Sequence, residues 1–276
     1  MYDQLVQTKN PGLILILIDQ SGSMDEPYDG GTKKNVAALA INRCIYEIIA
    51  SCRSGNETRN RCQIGVYGYG YGGATQLIGG WVSEVEGKSL GIQTITRKVP
   101  DGAGGLVDSP FQLQIYIEPR AKGSTPMAQA FSKARDLIET SWLPRYPDSF
   151  PPVVINITDG APTDDNGTSN DFDGAASAAK ALMALRSNNG SLLLFNAHIS
   201  SGNAPELCLP SVLPAGSDEC ARFLFDASSE LPSELLSSAK AAGLNAQPKA
   251  RGFVYRAGAE YLTKLIVFGS MGITGK

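Results

Sequence analysis

Histidine is almost missing from this chain: His198 stands alone among 276 residues. Sites that need two or more imidazoles, such as the HExxH helix of zinc proteases, cannot be built from it. Charge is sparse at 18% and nearly balanced, with Lys+Arg 24 against Asp+Glu 27 and a net charge of −3. With no basic excess, attraction to a phosphate backbone explains nothing, and nucleic acid is not an expected partner. No apolar run approaches the roughly 18 residues of a membrane span. Met1 to Gly12 lacks the basic start and long apolar stretch of a secretion signal, so the cytoplasm is the expected location. Glycine is abundant at 30 residues but aperiodic, which excludes collagen-like sequence. Gly102, Gly104 and Gly105 form neither a GxGxxG nor a P-loop pattern, so the nucleotide signal is absent.

The five cysteines, Cys44, Cys52, Cys62, Cys208 and Cys220, are odd in number and none sits in a CxxC pair. A chain of this length needs no covalent staples, so all five are expected as free thiols, with Cys208 and Cys220 the one pair considered for a bridge or a shared metal. Sequons at Asn56, Asn156, Asn166 and Asn189 carry no weight without secretion, and Asn156 falls inside an expected core strand.

What is present is a clear alternation of strand and helix patterns. Leu13 to Ile18 is a continuous branched apolar run, the mark of a strand buried on both faces. Helical spacing follows over Lys33 to Ser51, then strand patterns at Cys62–Tyr69, more weakly at 77–85 and 92–99, and at Phe111–Ile117 after a loop at 100–110. A helix opens after Ser124-Thr125-Pro126, a strand spans Val153–Ile157, and an Ala-rich helix runs to about Ser187. Ser191–Ile199 reads as a strand, 200–221 as an irregular insertion, Arg222–Asp226 as a short strand, and 233–242 and 257–268 as helices. The order predicts one domain, 1–276 with a core of about 12–268. Its expected architecture is a doubly wound, mostly parallel open sheet with helices on both faces.

In such sheets ligands bind beyond the carboxyl ends of the strands, where the strand order reverses. Three polar clusters fall at such ends: Asp19-Gln20-Ser21-Gly22-Ser23-Met24, Gly123-Ser124-Thr125-Pro126 and Thr158-Asp159-Gly160. Together they offer two carboxylates and three hydroxyls, an all-oxygen set suited to Mg2+, with Mn2+ or Ca2+ as alternatives. With only two carboxylates, such an ion stays electrophilic toward an outside anionic oxygen. Each element also has a plain structural use. Ser21 and Ser23 can satisfy loop amides, Thr125 can cap a helix ahead of Pro126, and Asp159-Gly160 can be a turn. Three such coincidences in this order are harder to accept than one site.

Asp19-x-Ser21-x-Ser23, then Thr125, then Asp159-Gly160 resembles the metal-ion-dependent adhesion site of von Willebrand factor A (vWA) domains. The flanking words LILIDQSGSM, GSTPM, VINITDG and FNAHIS agree, and the resemblance covers roughly 12–268. It implies Ser21, Ser23 and Thr125 as hydroxyl ligands, with Asp19 and Asp159 acting directly or through water. The form is similar to bacterial intracellular vWA proteins of the tellurium-resistance-associated type. That resemblance implies a regulatory or scaffolding role, and partners such as a kinase, a phosphatase or an AAA ATPase that present Asp or Glu to the metal. No catalytic residue is expected.

The enzyme alternative is a haloacid-dehalogenase-like phosphotransferase with Asp19 as nucleophile, but its second acid, two residues on, is here Ser21. A metal-free structural scaffold is the third reading. His198 reads as structural, and the acidic loop Asp164, Asp165, Asp171 and Asp173 as a solvated face near the Asp159 side. Tyr67, Tyr69 and Tyr71 read as one face of a strand and its turn, and Tyr28 as a rim contact.

Overall fold

The computed structural model describes residues 7–100, 105–200, 206–241, 243–256 and 258–274. Gly102, Gly104 and the stretch 201–205 of the expected insertion lie outside the described residues.

The strands are β1 (Gly12–Asp19), β2 (Cys62–Gly70), β3 (Gly73–Trp81), β4 (Gly91–Pro100), β5 (Leu106–Ile115), β6 (Val153–Thr158), β7 (Leu193–His198), β8 (Leu207–Cys208) and β9 (Phe253–Tyr255). The helices are α1 (Lys33–Cys52), α2 (Val82–Glu86), α3 (Met127–Leu137), α4 (Phe172–Met183), α5 (Glu219–Asp226), α6 (Ser233–Ala241) and α7 (Ala259–Thr274). Seven strands form the central sheet in the order β8-β9-β7-β6-β1-β2-β3. The five inner strands are parallel, while β3 and β8 run antiparallel at the edges.

The doubly wound expectation holds, for a reason visible in β1. All eight of its residues are buried. Ile14, Ile16 and Ile18 face a core shared with α1, α6 and α7, and Leu13, Leu15 and Leu17 face one shared with α3, α4 and α5. A strand covered on both sides has no solvent face to mark with polar residues, hence its unbroken apolar run. From β1 the chain crosses through α1 to β2, whereas from β6 it crosses through α4 to β7 on the opposite side. The order therefore reverses between β1 and β6, which opens a crevice at their carboxyl ends.

Differences from the sequence reading have local causes. Residues 222–226 are not a strand but part of α5. Asp218 accepts the Ala221 N–H at 2.7 Å as a helix cap, and the buried Ala221 and Leu224 follow helical spacing. Alternating Phe223 and Phe225 imitated a strand there. The expected loop at 100–110 is shorter, because β4 and β5 form a ten-pair antiparallel ribbon outside the central sheet. Phe111 ties that ribbon to α1 by an edge-on contact with Tyr46 at 5.1 Å. The segment 77–85 divides between the end of β3 and the short helix α2. Within 200–221, β8 supplies an edge strand against β9, and β9 itself is too short to be read from its three residues.

All five cysteines are unbridged. Cys52, ending α1, and Cys62, opening β2, are nonetheless in hydrogen-bond contact. That contact brings the Cys52 thiol down to about 7, and the same contact together with burial pushes Cys62 up. Asn156 is wholly buried. It accepts the Tyr69 hydroxyl at 2.8 Å and donates to Asn196 Oδ1 at 3.0 Å, so its sequon is closed to modification in the folded chain.

Candidate metal centre

Asp19 is the last residue of β1, and Asp159 directly follows β6, so the crevice at the reversal point is lined by both. Asp19 is fully buried. Its Oδ1 accepts the Ser21 N–H at 2.7 Å, and its Oδ2 accepts the Thr158 hydroxyl at 2.6 Å. Ser23 donates to Asp159 Oδ1 at 2.9 Å, and the Ser21 and Ser23 hydroxyls lie 3.1 Å apart. Four of the five sequence-predicted residues are thus joined by one chain of hydrogen bonds. Met24, wholly buried, anchors the short 3-10 turn Gly22–Asp25 beneath them.

Thr125 reaches the group through its backbone. Gly22 N–H donates to Gly123 O at 3.0 Å, Thr125 N–H to the Thr163 hydroxyl at 3.0 Å, and Thr163 N–H to Thr125 O at 2.9 Å. Thr125 is buried and sits between the loops carrying Ser21 and Asp159. It does not cap α3: Pro126 occupies the cap position, and the hydroxyl is not spent on a helix amide. The 122–123 loop is knitted in by Lys122 N–H to Gln20 O at 2.5 Å and Tyr71 N–H to Lys122 O at 3.0 Å. Gly123 (φ +94°) is needed there, since a Cβ would lie 2.7 Å from the Tyr71 nitrogen.

Burial pushes the Asp19 carboxyl up to about 6, with the nearby Asp159 charge adding to the effect against hydrogen bonds from Thr158 and Ser21. Two buried carboxylates with the Ser21 and Ser23 hydroxyls form an all-oxygen group of the kind a hard cation fits. Among the described residues no group of three or more His, Cys, Asp or Glu is placed to hold an ion, so any metal here would depend on the hydroxyls.

Sequence reasoning missed Lys33 and Glu26. The Lys33 ammonium lies 2.6 Å from Asp159 Oδ2 and 2.6 Å from Glu26 Oε2. A tight hairpin, Pro27–Tyr28 paired with Gly31–Thr32, folds Glu26 back onto the start of α1. Its turn residues Asp29 (φ +46°) and Gly30 (φ +77°) have the left-handed geometry of such turns. One signal was available. Lys33 and Lys34 occupy the first turn of a helix, where the macrodipole disfavours cations, so each needs a local partner. Lys34 pairs with Asp25 at 2.5 Å.

The remaining expectations sort cleanly. His198 is buried at the end of β7, hydrogen-bonded to the Asp159 backbone and stacked on Tyr255 at 5.4 Å; burial keeps its ring low in basicity. Asp164 lies in a self-contained turn, accepting from Thr168 and Ser169, which holds its carboxyl well below the usual range. Tyr67 and Tyr69 are core, whereas Tyr71 is 77% exposed at the rim, with the Lys122 ammonium 4.9 Å above its ring. Tyr28 packs half-buried against the α1 core.

No family model matches the chain, and no curated protein matches it in sequence. Among solved structures, the pilus adhesin SpaC from Lactobacillus rhamnosus GG superposes with a TM-score of 0.55 at 11% identity, over 96% of this chain and 31% of SpaC. The PilB minor pilin from Streptococcus sanguinis gives 0.48 at 10% identity, over 96% and 62% of the two chains. The VWA domain of SpRpn10 gives 0.40 at 12% identity, over 79% and 83%. The likeness to SpaC is one of fold. Among the described residues no helix is long and apolar enough to cross a membrane.

Proposed function

We propose that this chain is a protein-interaction module of the vWA type that docks an acidic residue of a partner through a divalent ion, Mg2+ first. The observation that carries this reading is the convergence of Asp19, Ser21, Ser23 and Asp159 at the reversal point, with Thr125 held alongside. Ser21, Ser23 and Thr125 would hold the ion with Asp19 and Asp159. The ion would supply a Lewis-acidic position for an anionic oxygen. Tyr71, exposed beside that position, gives a partner an amphipathic surface of the kind interfaces favour.

The phosphotransferase alternative needs a nucleophile free to attack. Asp19 is fully buried, and each carboxylate oxygen already accepts a hydrogen bond, which supports the non-enzymatic reading. An assay with a generic aryl phosphate should return no turnover. The decisive experiment is a Mg2+ titration followed by thermal unfolding, with double substitution of Ser21 and Ser23 to Ala. The parent should be stabilised by about 3 kcal/mol at an ion concentration about 100-fold above its Kd, and the double variant not at all. Equal stabilisation of both would end the assignment.

The proposed setting is intracellular, in a regulatory or scaffolding complex like those of tellurium-resistance-associated proteins. SpaC, by contrast, is a pilus adhesin. The cysteines separate the two settings. Protein trapped with an alkylating agent at lysis of its native cells should show all five thiols free. Recovery of only three, with Cys52 joined to Cys62, would point to an oxidising compartment and overturn the intracellular assignment.

A further inference from the structure

The proposed ion site already contains a cation of its own. Lys33 is 4% exposed, its ammonium is 2.6 Å from an Asp159 side chain that is itself wholly buried, and 2.6 Å from a Glu26 side chain that is 59% exposed. Lys33 thus bridges an inner and an outer carboxylate. Its neighbour Lys34, also in the first turn of α1, turns outward to Asp25 and stays clear of the site.

Charge counting shows what that placement does. Asp19, Asp159 and Glu26 bring three negative charges and Lys33 one positive. Without an ion, Lys33 is the cation hydrogen-bonded to Asp159. A divalent ion held by Asp19 and Asp159 would share the Asp159 carboxylate with the Lys33 ammonium, and two cations on one buried carboxylate repel strongly. The Oδ2 atom of Asp159 cannot serve both cations in full. Glu26 offers the ammonium a second acceptor already in contact, on the solvent side.

We propose that Lys33 is a tethered competitor for the divalent ion: it neutralises Asp159 when no ion is present and is passed wholly to Glu26 when one binds. Resting on the ion-site reading above, this assigns Lys33 and Glu26 opposite effects on ion affinity. Lys33 weakens binding, and Glu26 restores part of it by receiving the displaced ammonium. The pair also bears on ion choice. An ammonium beside the site penalises a divalent ion more than a monovalent one, so its removal should widen the preference for Mg2+ over Na+.

The test uses the full chain and Mg2+ alone, read by isothermal titration calorimetry, with thermal unfolding in EDTA alongside. Lys33→Met should bind Mg2+ about tenfold more tightly or better, and should melt earlier than the parent in EDTA, because Asp159 loses the ammonium hydrogen-bonded to it. Lys33→Arg keeps the charge and should stay near the parent. Glu26→Gln should fold normally and bind several-fold more weakly. If the parent binds Mg2+ and Lys33→Met binds it no more tightly, or Glu26→Gln binds it no more weakly, the competitor role fails while the ion site stands. If Lys33→Met binds and the parent does not, the competitor role holds and the ammonium has replaced the ion, which defeats the proposed ion-dependent docking. If neither binds Mg2+ although both are folded by circular dichroism, the ion site and the competitor role fall together.

Discussion

Asp19→Asn should make the ion-free protein more stable at pH 7 and, in the same variant, remove stabilisation by Mg2+. The first effect follows from burial. Asp19 is fully buried, with its carboxyl raised from 3.8 to about 6 by desolvation and then by the Asp159 charge. A carboxyl that holds its proton more tightly folded than unfolded contributes fully below about pH 4. That contribution is lost as pH rises through about 6. At neutral pH the native state therefore carries the cost of an ionised group it would rather keep protonated.

Asparagine removes that charge while its amide oxygen still accepts the Ser21 N–H. The gain is on the order of 1–3 kcal/mol, at the lower end because the buried Thr158 hydroxyl must then find another acceptor. The second effect has the opposite sign, since a neutral amide is a poorer ligand for a hard divalent ion. Thermal unfolding in EDTA and in millimolar Mg2+, at pH 4 and pH 7, checks both halves. The ion-free advantage of the variant should shrink to a small fraction at pH 4, where Asp19 is protonated in the folded state and close to half protonated in the unfolded one. A variant less stable than the parent in EDTA at pH 7 would show that the two hydrogen bonds to Asp19 outweigh its burial. Full Mg2+ stabilisation of the variant would remove Asp19 from the ion site.

The fold was legible in this sequence where burial was two-sided. β1 carries an unbroken apolar run, and the runs of β6 and β7 are interrupted by the hydrogen-bonded pair Asn156 and Asn196, because helices cover both faces; such runs end abruptly at the polar residues that line the crevice. The same contrast marked out the polar cluster: Asp19 ends β1, Ser21 and Ser23 lie in the turn after it, and Asp159 directly follows β6, strands whose position in a doubly wound sheet is fixed by topology. Legibility failed where pattern and length were too short to decide. Phe223 and Phe225 alternate like a strand, yet the Asp218 cap and the Ala221/Leu224 spacing make a helix. Lys33 was hidden for a different reason. Nothing in the spacing of a lysine at a helix start shows that a hairpin will bring Glu26 back beside it, or that Asp159, 126 residues away in sequence, will meet its ammonium. Only the unfavourable position of Lys33 in the helix dipole marked it out, and that mark is weak until the fold supplies the partner.

Gly123→Ala should damage both stability and ion binding, through a residue that contributes no ligand. Its backbone lies at φ +94°, where an L side chain is strained by about 1–3 kcal/mol. Strain is the smaller part. A Cβ there would lie 2.7 Å from Tyr71 N and 2.8 Å from Tyr71 Cα, and backbone atoms cannot swing aside as a flexible side chain can. The 122–125 loop must shift, yet Gly123 O holds the Gly22 N–H at 3.0 Å and Thr125 is fixed two residues on by Thr163. Displacing the loop therefore separates Thr125 from the turn that carries Ser21 and Ser23. The expected cost is about 2–4 kcal/mol of stability. Mg2+ affinity should fall at least about tenfold, because oxygen donors serve Mg2+ only in near-octahedral placement.

Gly55→Ala is the control. Gly55 also has a left-handed backbone (φ +64°), but a Cβ there would meet nothing within 4 Å, and it lies in the Arg53–Thr58 hairpin, beyond the far end of α1 from Lys33. It should lose about 1 kcal/mol and bind Mg2+ like the parent. Denaturant unfolding and Mg2+ calorimetry on the three proteins separate strain from site geometry. Should Gly123→Ala be destabilised and still bind Mg2+ as tightly as the parent, the loop bearing Thr125 would be support for the fold and no part of the ion site.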